Sequence, residues 1–330
     1  MNSFGTIFRV TIWGESHGEC VGVSVDGVPA GIALSVDDFA EDLARRASGR
    51  RGTTPRREAD QPKIVSGVYE GRTTGAPLTV LFENTNTRSG DYSNLLRQPR
   101  PSHADLVAQR KFAGANDPRG GGHFSGRLTL GLVAAGVVAK RVIDSEVKFT
   151  TRITEIGGCA DESRFDEVIE AAMRDGDSVG GVVECRVDNV AVGLGEPFFD
   201  SAESTIAHLL FSVPAVKGVE FGAGFEVAKR RGSENNDVII NIEGATATNN
   251  DGGINGGITN GNQLVVRAAV KPTASIARAQ MTYDFEQNQI AELQIKGRHD
   301  ACIALRAAVV IESAVAIALA DLWLRHRSRD

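Results

Sequence analysis

The chain has 330 residues, 42% hydrophobic and 24% charged, the make-up of a globular protein with a sizeable core rather than of a disordered or fibrous chain. Its 36 Lys and Arg stand against 42 Asp and Glu, and the net charge of −6 argues against a general nucleic-acid binder, which needs a basic excess. Cys20, Cys159, Cys185 and Cys302 are scattered, share no metal-finger or redox spacing, and read as reduced thiols of a cytoplasmic protein.

The opening "MNSFGTIFRV" lacks the basic-then-apolar pattern of a secretory leader. "FRVTIWG" reads as a strand, broken where Glu15, Ser16 and His17 stand between Gly14 and Gly18. "CVGVSVDGVPAGI" alternates around an Asp-Gly pair and predicts a hairpin. "SVDDFAEDLARRAS" predicts a helix, with Ser35 and Asp38 as a capping pair and Phe39, Leu43 and Ala47 on one face. Arg45, Arg46, Arg50, Arg51, Arg56 and Arg57 then fall within thirteen residues that contain no Lys. Guanidinium groups bind carboxylate and phosphate bidentately and stay charged, so the cluster suits a small polyanion. An RNA-binding arm would interleave aromatic residues for stacking, and this segment has none.

"KIVSGVYEGRTTGAPLTVLFEN" reads as two strands joined at a Gly-rich turn. His103 precedes a helix predicted over 104–112, and Asp117, Arg119, Ser125 and Arg127 surround a triple glycine at 120–122. That loop leads into a long apolar helix, "LTLGLVAAGVVAKRVI"; backbone N–H groups at such a junction suit a phosphate. Residues 145–200 read as strand, helix, strand, and "ESTIAHLLFS" as a helix stopped near Pro214. Short strands and Gly-Asn-Asp turns follow from Glu226, including a second glycine cluster at 252–261. Lys271, Thr273 and Ser275 follow a strand in "AAVKPTASIARA". Arg298, His299 and Asp300 precede a C-terminal helix whose apolar run carries Arg306, Glu312 and Asp321, the mark of a buried helix rather than a membrane span.

Of the six histidines, His208 sits on an apolar helix face and His326 near the chain end, whereas His17, His103, His123 and His299 lie in polar loops suited to proton transfer. Metal-ligand spacings, the nucleophile elbow, the dinucleotide fingerprint and the Walker loop are absent from the sequence. The parts on hand suit acid–base work on an anionic phosphate ester, with a phosphate-bearing cofactor.

In order, "FRVTIWGESHG", "DLARR", "RPSHAD", "DPRGGG", "GLGEPFFD", "AVKGVEFGAGF", "RGSENND", "GGINGGITNGNQL", "KPTASI" and "GRHDACIALRAAVVIESAVAIALAD" resemble the chorismate synthase family along nearly the whole chain. The resemblance implies an α/β fold in one domain over 1–330, with long central helices sandwiched between antiparallel β-sheets, assembled as a homotetramer. It implies a lyase of aromatic amino-acid biosynthesis, which removes phosphate and a ring hydrogen from 5-enolpyruvylshikimate 3-phosphate to give chorismate. Reduced FMN is required, without net redox change, and is supplied with NADPH on the enzyme or by an external flavin reductase. No nucleic acid or membrane enters this reading.

The resemblance also implies residue roles. His17 protonates the departing phosphate, His103 partners the flavin N1 region, and Ser16 with Asp300 assists proton acceptance at flavin N5. Arg46, Arg50, His123, Phe124, Ser125, Glu234, Asn235, Gly256, Lys271, Pro272, Thr273, Ala274, Ser275 and Arg298 match cofactor-binding positions, and Arg46, Arg51 and Arg127 substrate-binding ones. The spacing after Arg46 is one residue short, so either Arg50 or Arg51 is the family's next arginine. Where the family usually reads "GGRSSARET" this chain has "GGHFSGRLT", with His123 and Phe124 replacing Arg and Ser and Leu128 replacing Glu. A guanidinium lost beside an anionic cofactor costs about 1–3 kcal/mol. Ser102 stands where Gly is customary and Ala47 where the family has a third Arg. A relative that merely binds a phosphorylated ligand is the alternative, but it would need neither His17 nor His103.

Overall fold

The computed structural model describes residues 1–55, 58–85, 94–295 and 299–328. In chain order the strands and helices are β1 (Ser3–Phe4), β2 (Arg9–Gly14), β3 (Cys20–Asp26), α1 (Ala40–Arg46), β4 (Lys63–Ser66), β5 (Val68–Tyr69), β6 (Arg72–Thr73), β7 (Leu78–Glu83), α2 (Asp105–Lys111) and α3 (Thr129–Val142). There follow β8 (Lys148–Ile156), α4 (Phe165–Arg174), β9 (Gly181–Asp188), α5 (Ala202–Ser212), β10 (Val216–Phe221), α6 (Gly232–Asn235), β11 (Ile254–Asn255), β12 (Ile258–Thr259), β13 (Leu264–Val270), β14 (Gln280–Asp284), β15 (Gln289–Leu293) and α7 (Ala304–Arg327).

Two antiparallel sheets enclose a helical layer. One runs β1-β2-β3-β7-β4, the other β10-β13-β9-β8. Helix α3 packs on the first sheet, α7 on the second, and the two helices pack on each other, flanked by α1 and α5. This is the α/β sandwich that the resemblance implied. Helices buried on both sides cannot be amphipathic, and α3 and α7 accordingly bury almost every residue over 129–139 and 309–322. Their close approach rests on Gly136, where a Cβ would lie 2.4 Å from the Ser313 Cβ. Helix α7 is long and apolar enough to cross a membrane, yet its most apolar window is 83% buried inside the protein, so its hydrophobicity serves the core.

Two sequence expectations are corrected. Asp26 and Gly27 do not open a hairpin: β3 pairs with β2 and β7, and the chain after Gly27 makes only a bridge, Ala33 to Arg72. The segment over 63–84 holds four strands, since the small β5–β6 hairpin interrupts the β4–β7 pairing. Helix α1 is preceded by a 3-10 turn, Val36–Phe39, where the Asp38 carboxylate accepts the Ser35 backbone N–H at 2.7 Å. All four cysteines are unbridged, and burial pushes the Cys185 thiol up to about 12.

Candidate active site

Strand β2 ends at Gly14, where φ is +94° and a Cβ would lie 2.5 Å from the Cys20 carbonyl oxygen; only glycine fits. Gly18 has no such need, because a Cβ there would stand 3.4 Å from the nearest atom. Asn84 fixes the intervening loop by donating to the carbonyls of Glu15 (3.0 Å) and Gly18 (2.9 Å). Ser16 and His17 are thereby turned inward and buried. The Ser16 Oγ has no hydrogen-bond partner among the described residues.

The triple glycine covers this pair. Gly120, Gly121 and Gly122 all have positive φ, and the Gly122 carbonyl accepts the Ser16 N–H at 3.1 Å. A Cβ at Gly120 would lie 2.5 Å from the His17 Nε2 and 3.0 Å from the Ser16 Oγ. Gly120 itself lines a cavity of about 830 Å³, so Ser16 and His17 stand directly behind the wall rather than on it. The volume is that of a site for small molecules.

Arg46, Arg100, His103, His123, Phe124, Ser125, Arg127, Lys271–Ser275, His299, Asp300 and Arg306 line the same cavity. Arg46 is held from three sides: its Nε donates to Thr129 Oγ1 (2.9 Å), its Nη2 to the Gly126 carbonyl (2.9 Å), and its Nη1 faces Asp60 at 3.5 Å. Burial, then the Arg306 charge, pull its guanidinium down to about 9, with Asp60 opposing. An anion entering the cavity would therefore be welcome. Arg127 donates to the same Asp60 at 2.9 Å and to the Glu83 carbonyl at 3.0 Å. Asp300 accepts the Thr54 N–H at 2.9 Å and pairs with Arg306 at 3.2 Å, and Arg306 Nε donates to the Arg46 carbonyl.

Beside the triple-glycine loop, His103 Nδ1 lies 2.7 Å from Asp105 Oδ1. Arg100 donates to Asp105 and, at 2.9 Å, to Ser275 Oγ. Lys271 Nζ donates to the Ser102 carbonyl, and burial together with Lys217 lowers its pKa. The Thr273 Oγ1 is buried without a partner among the described residues. His123 Nδ1–H donates to the Gly14 carbonyl at 2.8 Å, tying the glycine loop to β2, and Phe124 lies 6.3 Å from Phe112, ring to ring.

Other expected site residues lie elsewhere. Arg50 turns back to donate to the Arg45 carbonyl, and Arg51 pairs with Glu170 on α4; neither lines the cavity. Glu234, which caps its own short helix at Arg231, Asn235 and Gly256 are also absent from the lining. Arg56, Arg57 and Arg298 lie outside the described residues. Sequence reading missed Asp60, Arg100, Asp105 and Arg306. A carboxylate two residues after His103 and an arginine six after Asp300 were visible, but nothing in the spacing says that they pair. Among the described residues no His, Cys, Asp and Glu group could hold a metal ion.

The family model of chorismate synthase matches residues 8–324. The chain is 56% identical over 324 residues to the chorismate synthase of Chitinophaga pinensis, covering 98% of this chain and 97% of that one. It is 46% identical over 347 residues to that of Thermococcus kodakarensis, covering 98% of each. A solved structure described as the crystal structure of chorismate synthase superposes with a TM-score of 0.75 at 28% identity, covering 98% of this chain and 93% of that chain.

Proposed function

The chain belongs to the chorismate synthase family, and on that footing we propose that its 830 Å³ cavity is where 5-enolpyruvylshikimate 3-phosphate meets reduced FMN. The family's reaction, elimination of phosphate from that substrate to give chorismate, is a lyase reaction that uses reduced FMN. One observation carries the assignment of the site: five separate stretches, around Arg46, His103, Gly120–Arg127, Lys271–Ser275 and Asp300, converge on one volume.

The residues present fit a flavin phosphate and a substrate with three anionic groups. The cavity is large enough, Lys217 and Lys271 bring two ammonium groups to one wall, and the Thr273 hydroxyl beside them is buried without a partner among the described residues. Lys271, Thr273, Ala274, Ser275 and Ser125 would hold the flavin, with Phe124 packing on its rings in place of the contacts that the family's Arg and Ser make. When bound there, reduced flavin would supply transient one-electron chemistry with no net redox change. Arg46 and Arg127, already fixed by Asp60, would orient the substrate's anionic groups without paying rotamer entropy on binding. His17, behind Gly120, gives a proton to the departing phosphate, and Asp300, held by Thr54 and Arg306, helps remove the ring proton with Ser16. His103 serves the flavin edge.

Glu234, Asn235 and Gly256 join this scheme through assembly. Phe198, Phe199, Phe225 and Ile242 are 80–97% exposed, a load of apolar surface that supports a homotetramer in which neighbouring copies cover it. The continuous hydrophobic cluster drawn from both sheets and the helical layer supports one domain over 1–330. The family's biosynthetic role supports a cytoplasmic location.

The test is anaerobic: protein, photoreduced FMN and 5-enolpyruvylshikimate 3-phosphate are mixed, and chorismate and phosphate are followed together. Equal, flavin-dependent release is expected; phosphate without chorismate sinks the assignment. Replacing photoreduction by NADPH alone decides whether the chain reduces its own flavin or takes it from an external reductase.

A further inference from the structure

We propose that Asp105 is a positioning residue that holds His103 as its Nδ1–H tautomer and so reserves Nε2 for the cavity, an inference that rests on placing His103 in the site described above.

His103 Nδ1 and Asp105 Oδ1 lie 2.7 Å apart. A lone pair cannot face a carboxylate oxygen at that distance without repulsion, so a proton lies between them, and it belongs to Nδ1. Arg100 Nη2 also approaches Nδ1, at 3.0 Å, and would favour the opposite tautomer by donating to a bare nitrogen. Nη2 carries two N–H groups, one of which donates to Asp105 Oδ1 at 2.7 Å, so the choice falls to the stronger contact. A bare Nδ1 would set its lone pair against a charged carboxylate oxygen at 2.7 Å, closer than the guanidinium, while Arg100 Nε and its backbone N–H donate to Oδ2 at 2.8 and 3.0 Å. Three of the four contacts on Asp105 thus come from Arg100, which aims the fourth lone pair at the imidazole.

The far edge of the ring is free to act. A Cβ at Gly121 would stand 3.8 Å from His103 Nε2 and 3.6 Å from its Cε1, so that edge lies beside the triple-glycine loop, and His103 lines the cavity. Nε2 has no hydrogen-bond partner among the described residues, and with Nδ1 committed it is the atom at which a proton is gained or lost. Burial works against ionisation of Asp105, but Arg100 and His103 override it and hold its carboxyl far below the usual range, so the acceptor stays charged. The brace reaches further, since Arg100 Nη1 donates to Ser275 Oγ at the end of the Lys271–Ser275 loop. Asp105 therefore fixes the ring against the loop it must serve.

The test reads the tautomer directly. Protein carrying 15N-histidine is examined by solid-state 15N NMR at a pH where the imidazoles are neutral, and His103 is assigned by its loss in His103→Gln. Wild-type His103 is expected with Nδ1 protonated and Nε2 bare. In Asp105→Asn, whose amide can donate to a bare Nδ1, the ring is expected to switch to Nε2–H, with a fall in kcat of about ten- to a hundredfold. Asp105→Glu is expected to keep the wild-type signature. An Nε2–H ring in the wild type, or an Nδ1–H ring that persists in folded Asp105→Asn, overturns the proposal. The wild-type spectrum is decisive even if Asp105→Asn does not fold. Failure of the wild type to form chorismate would instead fell the functional reading and leave the tautomer result standing.

Discussion

Gly120 separates a buried serine and histidine from the cavity by a single residue without a side chain. Adding one methyl there puts carbon 2.5 Å from the His17 ring, so Gly120→Ala must displace either the imidazole or the loop. A displacement of about 1 Å costs on the order of a hundredfold in turnover. A lowered kcat in steady-state kinetics, with a lowered unfolding midpoint from the side chain placed at φ +58°, is the expected outcome, and wild-type kcat would show that the contact between Gly120 and His17 does not bear on turnover. Ser102 offers a second check, on stability. Its φ of +59° explains why glycine is customary at this position: a side chain in the left-handed region costs about 1–2 kcal/mol, partly offset by a stiffer unfolded chain. Ser102→Gly is expected to raise stability by less than about 1 kcal/mol in chemical denaturation. Much of the site was legible in the sequence because glycine runs and isolated histidines mark themselves. Arg46 and Asp300 were also legible, through resemblance. Asp60 and Arg306 were not, because a carboxylate that bridges two arginines from distant segments, or an arginine on a core helix, looks like ordinary surface charge until the chain is folded.

At the scale of elements, α7 shows why a nearly continuous apolar run still carries charges. Glu312, buried in mid-helix, accepts from Arg45 at 2.6 Å and from Lys140 at 2.5 Å, and Asp42 completes the group, so α1, α3 and α7 are tied by one ionic cluster. Burial opposes the charge on Glu312, but Arg45 and Lys140 win and lower its pKa. Its contribution to stability is therefore complete above the ordinary glutamate range near 4.5 and lost as pH falls through the lowered value. Glu312→Gln, which leaves Arg45 and Lys140 to share the single carboxylate of Asp42, is expected to cost about 1–3 kcal/mol at pH 7, moderated by the solvent contact that both cations keep. The variant's stability should also depend less on pH between about 5 and 3 than the wild type's. Denaturant midpoints measured across that range check both; an unchanged acid slope would mean that other carboxylates govern acid unfolding. The same paired helices were foreseen from hydrophobicity, but their contact at Gly136 was not. Period and apolarity reveal that a helix is buried, whereas its partner is set by which small residues happen to face each other. The missed β5–β6 hairpin has a similar cause: two-residue strands leave no alternation to read.

For the whole molecule, the question is why a chain with a well-filled core leaves so much apolar surface in water. Phe199 is 94% exposed, Ile242 97% and Phe225 80%, while Glu234, Asn235 and Gly256, which the resemblance matches to flavin-contacting positions, are absent from the lining of the cavity of their own chain. Both facts have one explanation if neighbouring copies cover these surfaces and bring those residues toward each other's cofactor. Exposed aromatic side chains worth about 1.5–3 kcal/mol each on burial are then the natural anchors, and a charge placed on them is the natural disruption. If the proposed homotetramer forms through these surfaces, Phe199→Asp combined with Phe225→Asp is expected to lower the mass measured by light scattering below that of the wild type. It should weaken flavin binding at least about tenfold, while far-UV circular dichroism and the α3–α7 core are retained. Flavin affinity that falls with the mass ties the cofactor site to assembly. A double variant that stays tetrameric at micromolar concentration would place the interface on another face, and one that dissociates yet binds flavin normally would return Glu234, Asn235 and Gly256 to a purely structural role.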